Sequence, residues 1–333
     1  MFDAIGQGFA AVQQALFEGL VQPLMFALGG ASLLEDGFIA TGWLLVGLLQ
    51  LAVIALVFGA LERWRPVEPV RDRAAVRTDI VYTLIHRLGV VRLALFFTLD
   101  PLWQALAAWL GLHGLRPLSF EGLWPGVTDV AWVAFALYLL LFDLVDYAVH
   151  RAQHRFDWWW QLHALHHSQR QMTRWSDNRN HLLDDALRDS VFVGVALAVG
   201  IAPAQFVAVV ALMQLMESLS HANVRASFGP WLGRVLVSPA FHRTHHAIGT
   251  GHESHGPGSL GGCNYAVLFP LWDLLFGTAR FGRAPEPTGV RDQLDGRDYG
   301  RGFWAQQALG LRRLVDRRAG WPDEAPGAGV RAR

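Results

Sequence analysis

The chain contains no lysine, and its 333 residues include a single cysteine, Cys263. Its 28 basic residues are therefore all arginines. Without lysine there is no P-loop lysine for phosphate, no Schiff-base nucleophile and no lysine general base. One thiol cannot form an intrachain disulfide, an iron–sulfur cluster or a thiolate zinc site, because each needs several cysteines. The chemistry of the chain must come mainly from its 14 histidines and its carboxylates.

Charge is also scarce. Charged residues make up 17% of the chain and hydrophobic residues 52%, whereas soluble domains are about 25% charged. This composition predicts a membrane protein. The formal net charge is zero and the arginines are scattered, so we expect no basic face and no nucleic-acid partner. The N-terminus has no positively charged segment, so a cleaved signal peptide is not expected.

Long apolar runs predict the membrane spans. A bilayer core about 30 Å thick needs roughly 20 apolar residues in a helix. The run from Thr41 to Leu61 has no charged residue and predicts a span. A second region, Asp79 to Leu112, should kink or split at Asp100-Pro101, because proline lacks a backbone donor and restricts the residue before it. A third run, Asp129 to Tyr147, is expected to return the chain to the cytoplasmic side.

The orientation follows from the arginines. Five of them lie within residues 63–77, directly after the first span, and the positive-inside rule places this loop in the cytoplasm. A fourth apolar region covers residues 190–216, but Pro203 divides it into pieces of about 11 and 13 residues, each too short to cross alone. We expect a hairpin that enters the membrane and returns to the same side, because only then can the histidines on its two flanks share a site.

The chain thus divides into four parts. Residues 1–40 form an N-terminal segment that is either interfacial or a poor span, and residues 41–128 form transmembrane helices. Residues 129–282 hold most of the histidines and the membrane hairpin at 190–216. Residues 283–333 form a polar tail, in which a helical pattern at 303–318 is expected to lie on the membrane surface.

The histidines cluster in a pattern typical of metal ligands. His150 and His154 are four residues apart, so on a helix that continues the third span they project from one face. The pattern H-x2-HH occurs at residues 163–167 and again at 242–246, and His221 is a ninth candidate. Imidazole suits iron, zinc, copper and nickel. The eight imidazoles of the first three blocks exceed what one ion can use, so the count predicts two metals.

Three carboxylates lie near these blocks in the sequence. Asp146 lies one turn before His150, with Asp143 a further three residues back, and Glu217 lies one turn before His221. Asp146 and Asp143 are candidates to accept the second ring N–H of a ligating imidazole. Glu217 is a candidate ligand or such a partner. The alternative interpretation is that these acids mark helix ends that meet water.

Taken together, the blocks resemble the fatty acid hydroxylase superfamily, which includes the sterol desaturases. The resemblance covers about residues 130 to 280. It rests on D-x2-DY-x2-HR-x2-H at 143–154, W-x2-H-x2-HHS at 160–168, HAN at 221–223, P-x2-H-x2-HH at 239–246, and NY, WD and FGT between 264 and 278. A single H-x2-HH is weak evidence, whereas the ordered set with a hairpin between its blocks is specific.

The resemblance implies an all-α fold of polytopic membrane helices with a cytoplasmic helical cap that carries a histidine-rich di-metal site. It implies a non-haem di-iron enzyme that uses dioxygen to hydroxylate, or less favourably to desaturate, a C–H bond of a lipid taken from the bilayer. A separate reductase or ferredoxin must supply electrons, because the chain has no motif for a redox cofactor of its own. The metal ligands that the resemblance implies are His150, His154, His163, His166, His167, His221, His242, His245 and His246.

Other histidine, asparagine and tryptophan residues are expected either beside the metal site or away from it. The resemblance implies supporting positions around the metals for His181, Asn223 and Asn264. His252 and His255, in a glycine-rich loop, and His86 and His113, beside other spans, are expected to lie outside the site. Trp158, Trp159 and Trp160 are expected either to line the substrate route or to belong to an interfacial belt.

A different class of function also fits a polytopic, histidine-rich chain. It could be a metal-binding or metal-transport protein without oxygenase activity. A transporter should hold its ligands near the bilayer midplane, whereas these clusters follow the ends of the predicted spans.

Overall fold

The computed structural model describes residues 2–250, 261–282 and 284–322. Within these ranges the chain is helical, with two isolated antiparallel bridges, Pro66 with Val224 and Ala247 with Thr288. The all-helical fold expected from the sequence is confirmed. The α-helices are α1 (Phe2–Leu16), α2 (Gln22–Ala27), α3 (Leu34–Val53), α4 (Gly59–Trp64), α5 (Arg73–Arg87), α6 (Val90–Thr98), α7 (Asp100–Leu112), α8 (Ala131–Arg155), α9 (Asp157–His167), α10 (Leu182–Val199), α11 (Pro203–His221), α12 (Gly229–Leu232), α13 (Pro239–His245), α14 (Leu271–Leu275) and α15 (Phe303–Val315).

Three helical runs among the described residues are long and apolar enough to cross a membrane: Ala31–Trp64, Ala131–Arg155 and Pro203–His221. The first joins α3 to α4 through a π-helical stretch, Ile54–Phe58, and contains the span predicted from the sequence. The second, α8, continues beyond the predicted span through His150 and His154. These two imidazoles therefore project from successive turns of one helix, as their spacing predicted.

The apolar region from Asp79 to Leu112 is divided more finely than expected. The break at Asp100-Pro101 is present, since α6 ends at Thr98 and α7 begins at Asp100. A second break lies at Gly89, whose φ of 81° is in the left-handed region that glycine adopts without strain. The resulting helices have 15, 9 and 13 residues. Each is shorter than the roughly 20 residues needed to cross a bilayer. The expected split at Asp100-Pro101 is therefore confirmed, and the break at Gly89 is an additional one that the sequence analysis did not predict.

The hairpin reverses between Gly200 and Ala202, where the sequence predicted a turn, and Pro203 is the first residue of α11. Its helices have 18 and 19 residues and are longer than the predicted pieces, because each continues through polar residues beyond the apolar run. The statement that each piece is too short to cross was therefore wrong for α11. The tip meets the loop before α8, where the backbone N–H of Leu118 donates to the carbonyl of Ala198 at 2.8 Å.

Aromatic and aliphatic side chains join the hairpin to α8. Phe142 of α8 packs against Phe192 of α10 and Phe206 of α11, with ring centroids 5.5 and 5.3 Å apart. Val209 and Met213 of α11 are buried in the same cluster. This packing fixes the two helices antiparallel beside α8. The open end of the hairpin, which carries His181 and His221, consequently lies at the same end of α8 as His154.

The N-terminal helices and α15 pack against the helices described above. The N-terminal helices lie against α3, where Gln13 Nε2 donates to the carbonyl of Phe38 at 2.8 Å. At the other end, α15 begins where the sequence predicted and packs on α9 and α5. Trp304 and Val315 of α15 are 80% and 90% exposed, so an apolar face is left uncovered. Its contact with a membrane surface stays a prediction.

Candidate metal centre

Eight imidazoles converge in two buried groups of four. Within each group the ligand atoms lie within 4.8 Å of one another. Each group draws its rings from helices that are distant in sequence, which the packing of the hairpin on α8 brings together. The first group is His150, His154, His167 and His245, and the second is His166, His221, His242 and His246.

The second group has the spacing of ligands around one ion. Nε2 of His221 lies 3.1 Å from Nε2 of both His166 and His242, and Nε2 of His246 lies 3.1 Å from that of His242. A metal–nitrogen bond of about 2.0–2.1 Å separates two nitrogen ligands by about 2.9–3.4 Å at octahedral or tetrahedral angles. Hydrogen bonds alone do not explain this arrangement. Nε2 of His221 has one lone pair, so it cannot accept well-aligned hydrogen bonds from both His166 and His242.

The first group shows the same spacing, since Nε2 of His245 and Nε2 of His167 are 3.1 Å apart. His150 and His245 are held from behind by backbone carbonyls. Nδ1 of His150 donates to the carbonyl of Tyr265 at 2.7 Å, and Nδ1 of His245 donates to the carbonyl of Cys263 at 2.7 Å. With the proton on Nδ1, the lone pair of Nε2 points into the group, which is the tautomer that a metal requires.

In the second group, Nδ1 of His221 donates to the carbonyl of Glu217, one turn back on α11, at 2.8 Å. The sequence led us to expect carboxylates in this role, and three of the imidazoles instead use main-chain oxygens. Backbone carbonyls are fixed by the fold, so they orient a ring without adding charge. The sequence contains no signal for them, because any residue supplies the same carbonyl.

His163 stands apart from both groups but lies between them, with ring centroids 5.1 Å from His154 and 5.3 Å from His166. Its Nδ1 lies 3.0 Å from Oδ2 of Asp184, and its buried Nε2 has no hydrogen-bond partner in the described part of the chain. Asp184 was missed by the sequence analysis. Its position three residues after His181 was the only available signal, because 21 residues separate it from His163.

All nine imidazoles are buried, with at most 6% of any residue exposed. Burial, with a smaller effect of the neighbouring rings, lowers the pKa of His166 and His242 well below the usual value for histidine. These rings are therefore neutral at physiological pH. Neutral imidazole is the form that binds a metal, so the donor set fits two ions of the borderline class that includes iron and zinc.

The three predicted carboxylates have different surroundings. Both oxygens of Asp146 accept hydrogen bonds from Arg188, at 2.8 and 2.7 Å, rather than from an imidazole. Asp143 accepts from the backbone N–H groups of Leu268 and Phe269 and thereby fixes the turn before α14. The carboxylate of Glu217 lies 3.5 Å from Arg188. Glu217 belongs to neither four-histidine group.

The side chains of His181 and Asn223, which were expected near the metals, form hydrogen bonds with main-chain groups rather than with the imidazoles. Nδ1 of His181 accepts from the N–H of Leu183 at the start of α10, and Nε2 donates to the carbonyl of Gln307 in α15, so neither nitrogen is free for a metal. Asn223 Oδ1 accepts from the N–H groups of Val67 and Glu68 at 3.2 Å and ties the end of α11 to the loop after α4.

Asn264 adopts a φ of 58°, a conformation that asparagine tolerates better than most residues. Its Nδ2 donates to the carbonyls of Phe241 and Arg280, both at 2.9 Å. The side chain thus fixes the segment whose neighbouring carbonyls, those of Cys263 and Tyr265, hold two of the imidazoles.

A small cavity of about 20 Å³ lies against both groups and is lined by His150, His163, His166 and His242. This volume suffices for about one water-sized molecule. Arg188 and Glu217 line the same cavity and are partly exposed, so the cavity comes nearest to the surface there.

The three consecutive tryptophans have different surroundings. Trp160 is buried against the ring of His154, and Nε1 of Trp159 donates to Asp184 at 2.6 Å. Trp158 is 49% exposed.

The remaining histidines lie elsewhere. His86 Nε2 lies 3.3 Å from a carboxylate oxygen of Asp185, and the exposed His113 lies 2.8 Å from the carbonyl of Trp109. Neither belongs to the two four-histidine groups. His252 and His255 lie outside the described residues.

Comparisons with known proteins agree with this geometry. The fatty acid hydroxylase family model matches residues 135–278. Alkylglycerol monooxygenase of Caenorhabditis elegans is 28% identical over 152 residues, which are 44% of this chain and 26% of that protein. Delta(7)-sterol 5(6)-desaturase erg3C of Aspergillus fumigatus is 27% identical over 189 residues, 50% of this chain and 54% of that protein. Alkylglycerol monooxygenase of Danio rerio is 29% identical over 177 residues, 51% and 33% of the two chains.

The aligned segments thus cover between about a quarter and about half of the length of these relatives. No solved structure matches the chain significantly. The matched region runs from α8 to the end of α14 and contains both four-histidine groups, so the similarity covers the site and the helices that build it.

Proposed function

Because the chain belongs to the fatty acid hydroxylase superfamily, we propose that it is a membrane-bound di-iron oxygenase that hydroxylates a C–H bond of a lipid, using dioxygen and electrons from a separate reductase or ferredoxin. The observation that carries the proposal is the pair of buried four-imidazole groups. Eight imidazole nitrogen donors without a carboxylate or thiolate among them suit two iron ions. Iron bound there would supply the activation of dioxygen and the removal of hydrogen from an unactivated carbon.

The nine ligands carried over from the family include His163, which we propose as a residue that contacts the metals from between the groups. Its Nε2 is buried and faces no hydrogen-bond acceptor in the described residues, so a metal or a metal-bound molecule is its natural partner. Asp184 holds the other nitrogen and keeps the proton on Nδ1.

The chain's own part is to exclude water and to fix the rings. Trp160 is 2% exposed and covers the rings of His154 and His167, with ring centroids 5.1 and 5.4 Å away. Tyr265 packs edge-on against His150, with ring centroids 5.7 Å apart. A site closed in this way protects a reactive oxidant from solvent and leaves the substrate as the nearest group to react.

The route for the lipid is proposed at Arg188 and Glu217, where α10 and α11 approach α8. These side chains are 22% and 18% exposed and border the cavity beside the imidazoles. The cavity is too small for a lipid in this conformation, so the side chains must move when the substrate binds. An Arg–Glu contact of 3.5 Å is weaker than the bidentate pair between Arg188 and Asp146, and we propose that it opens first.

Hydroxylation is favoured over desaturation, although relatives carry names of both kinds, alkylglycerol monooxygenase and sterol desaturase. The test is a comparison of lipid extracts by mass spectrometry from cells that express the chain and from cells that express His154→Ala. A lipid that gains one oxygen atom only with the unaltered chain supports hydroxylation. Loss of two hydrogens would indicate desaturation, and identical extracts would contradict an oxygenase acting on cellular lipids.

A further inference from the structure

A second cavity lies on the far side of α13 from the histidines. Its volume is about 460 Å³, within the range of small-molecule sites. Ala240, Arg243 and Thr244 of α13 line it, while His242 and His245 of the same helix point to the metal centre. One helix therefore separates the cavity from the two four-histidine groups. The other walls come from the loop after α4 and from residues 224–228 and 284–286.

The cavity lies at the ends of two candidate membrane spans. One span ends at Trp64, directly before Arg65, and another ends at His221, three residues before Val224. The two following segments are paired, since the N–H of Arg225 donates to the carbonyl of Arg65 at 2.8 Å. Trp64 and the nearby Trp231 are 73% and 84% exposed, as expected of tryptophans at the level of lipid headgroups.

Positive charge dominates the polar part of the lining. Arg65 and Arg225 are exposed and have no acidic partner in the part of the chain that the structure describes. Arg243 is buried and pairs with Glu68, with Nη2 2.6 Å from the carboxylate. Glu286 is the one acid among the lining residues of this cavity. The excess charge therefore comes from the two exposed arginines.

The rest of the lining is apolar. Val67, Val224, Ala226 and Phe228 form the surface next to the arginines. A ligand that uses both parts of the wall needs an anionic group for the guanidiniums and adjoining aliphatic atoms for the floor. A lipid phosphate with its glycerol backbone has this composition, and guanidinium binds phosphate oxygens in a bidentate manner.

We propose that this cavity binds the phosphate-bearing headgroup of an anionic lipid, with Arg65 and Arg225 as the residues that contact the phosphate. Basic pockets between membrane helices are suited to such headgroups. The bound lipid would rest on α13 and the segment after Asn223, so it would steady the elements that adjoin His221 and carry His242. The site is separate from the proposed path of the substrate, which approaches from α10 and α11.

The test is binding to the purified full chain, measured by calorimetry in detergent, with short-chain phosphatidylglycerol as the probe. We expect Arg65→Gln and Arg225→Gln each to weaken binding about fivefold. Arg234→Gln removes an exposed arginine of the same region that does not line the cavity, and binding to this control should be unchanged.

Two further probes distinguish the source of the phosphate. Short-chain phosphatidylcholine, which carries no net charge, should bind more weakly than phosphatidylglycerol, and inorganic phosphate should bind more weakly than either lipid. Equal affinity for inorganic phosphate and phosphatidylglycerol would overturn the lipid assignment. Equal binding of phosphatidylglycerol to the unaltered chain and to the Arg65→Gln, Arg225→Gln double variant would overturn the site. Neither readout depends on iron or turnover, so the proposal can fail independently of the oxygenase activity.

Discussion

Asp184 Oδ2 lies 3.0 Å from Nδ1 of His163, so a carboxylate at the start of α10 orients an imidazole of α9 across 21 residues of sequence. The other oxygen of Asp184 accepts from Gln153 of α8 at 2.7 Å and from Trp159 of α9 at 2.6 Å. One side chain therefore joins three helices beside the candidate metal centre. Asp146, which the sequence suggested for such a role, binds Arg188.

The first prediction concerns this carboxylate. In Asp184→Asn, the amide can still accept from Gln153 or Trp159 but presents an NH2 group to His163, which favours the wrong ring tautomer. We expect turnover to fall by about 10- to 100-fold, the usual cost of losing a partner of a metal-site histidine. Asp146→Asn should reduce turnover less, because its contact is to Arg188.

Initial rates with iron-loaded protein and a lipid identified from the extracts provide the measurement. Asp129→Asn changes an exposed acid just before the start of α8, at the opposite end of the helix from His154, and is the matched control that should keep full activity. If Asp146→Asn lost more activity than Asp184→Asn, the orienting role would have been assigned to the wrong carboxylate.

The second prediction concerns metal content. Because each four-histidine group is complete in itself, iron-supplied protein should contain two metal ions per chain by elemental analysis. His154→Ala and His221→Ala should each lower the content toward one, since each removes a ligand from a different group. His163→Ala should retain more metal than either and still lose turnover, because His163 belongs to neither group.

His113→Ala is the control for this series, since His113 is exposed and contacts the carbonyl and the ring of Trp109, far from both four-histidine groups in the sequence. It should keep both metals and most activity. Zinc can replace iron during expression because imidazole donors do not discriminate strongly between them, so the iron supply must be fixed. One ion per chain in the unaltered protein would contradict a two-metal site.

The parts of the fold that depend on local pattern could be predicted from the sequence. The run of apolar residues in α8 and the i, i+4 spacing of His150 and His154 are set within one helix, and both predictions were confirmed. The turn before Pro203 could be predicted because proline is favoured in the first turn of a helix. The break at Gly89 could not, since glycine occurs in many helices without ending them.

The contacts that orient the imidazoles could not be read from the sequence. The carbonyls of Tyr265 and Cys263 reach His150 and His245 only after α13 and the segment around Asn264 have packed on α8. Similarly, nothing local indicates that Arg188 takes both oxygens of Asp146 across 42 positions. Such pairings depend on tertiary packing, so the local pattern of a single sequence does not predict them.

The third prediction concerns topology. Residues at the open end of the hairpin and residues after α13 should face the cytoplasm, and the loop before α8 should face the opposite side. In a Cys263→Ala background, Arg170→Cys and Arg280→Cys should react with a membrane-impermeant thiol reagent from the cytoplasmic side only. Arg116→Cys should react from the other side only. All three positions are exposed, so accessibility is decided by the membrane rather than by burial in the protein.

These positions replace exposed side chains that make no ion pair with the described residues, which keeps the fold intact during labelling. Reaction of Arg170→Cys and Arg280→Cys from opposite sides would refute the hairpin. Reaction of all three from one side would show instead that the α5–α7 segment and α8 do not carry the chain across the membrane.

The last prediction concerns the contact between α15 and the start of α10. A Cβ added at Gly310 would overlap the ring of His181, whose Nε2 donates to the carbonyl of Gln307 at 3.0 Å. Gln307 in turn accepts from the N–H of Leu182 and donates to the hydroxyl of Tyr82. Gly310→Ala should therefore push α15 away and cost about 1–3 kcal/mol of stability, as other overpacked contacts do. The measurement is the midpoint of thermal denaturation in detergent.

Gly111→Ala is the matched control, because Gly111 is also a helical glycine but has no neighbour within 4 Å of the added carbon. Alanine there should leave stability unchanged or raise it by up to about 1 kcal/mol through helix propensity. Since His181 caps the helix that carries Asp184, we also expect Gly310→Ala to lower metal retention while Gly111→Ala does not. A Gly310→Ala protein that is as stable as Gly111→Ala and keeps both metals would show that the tail helix does not brace the site.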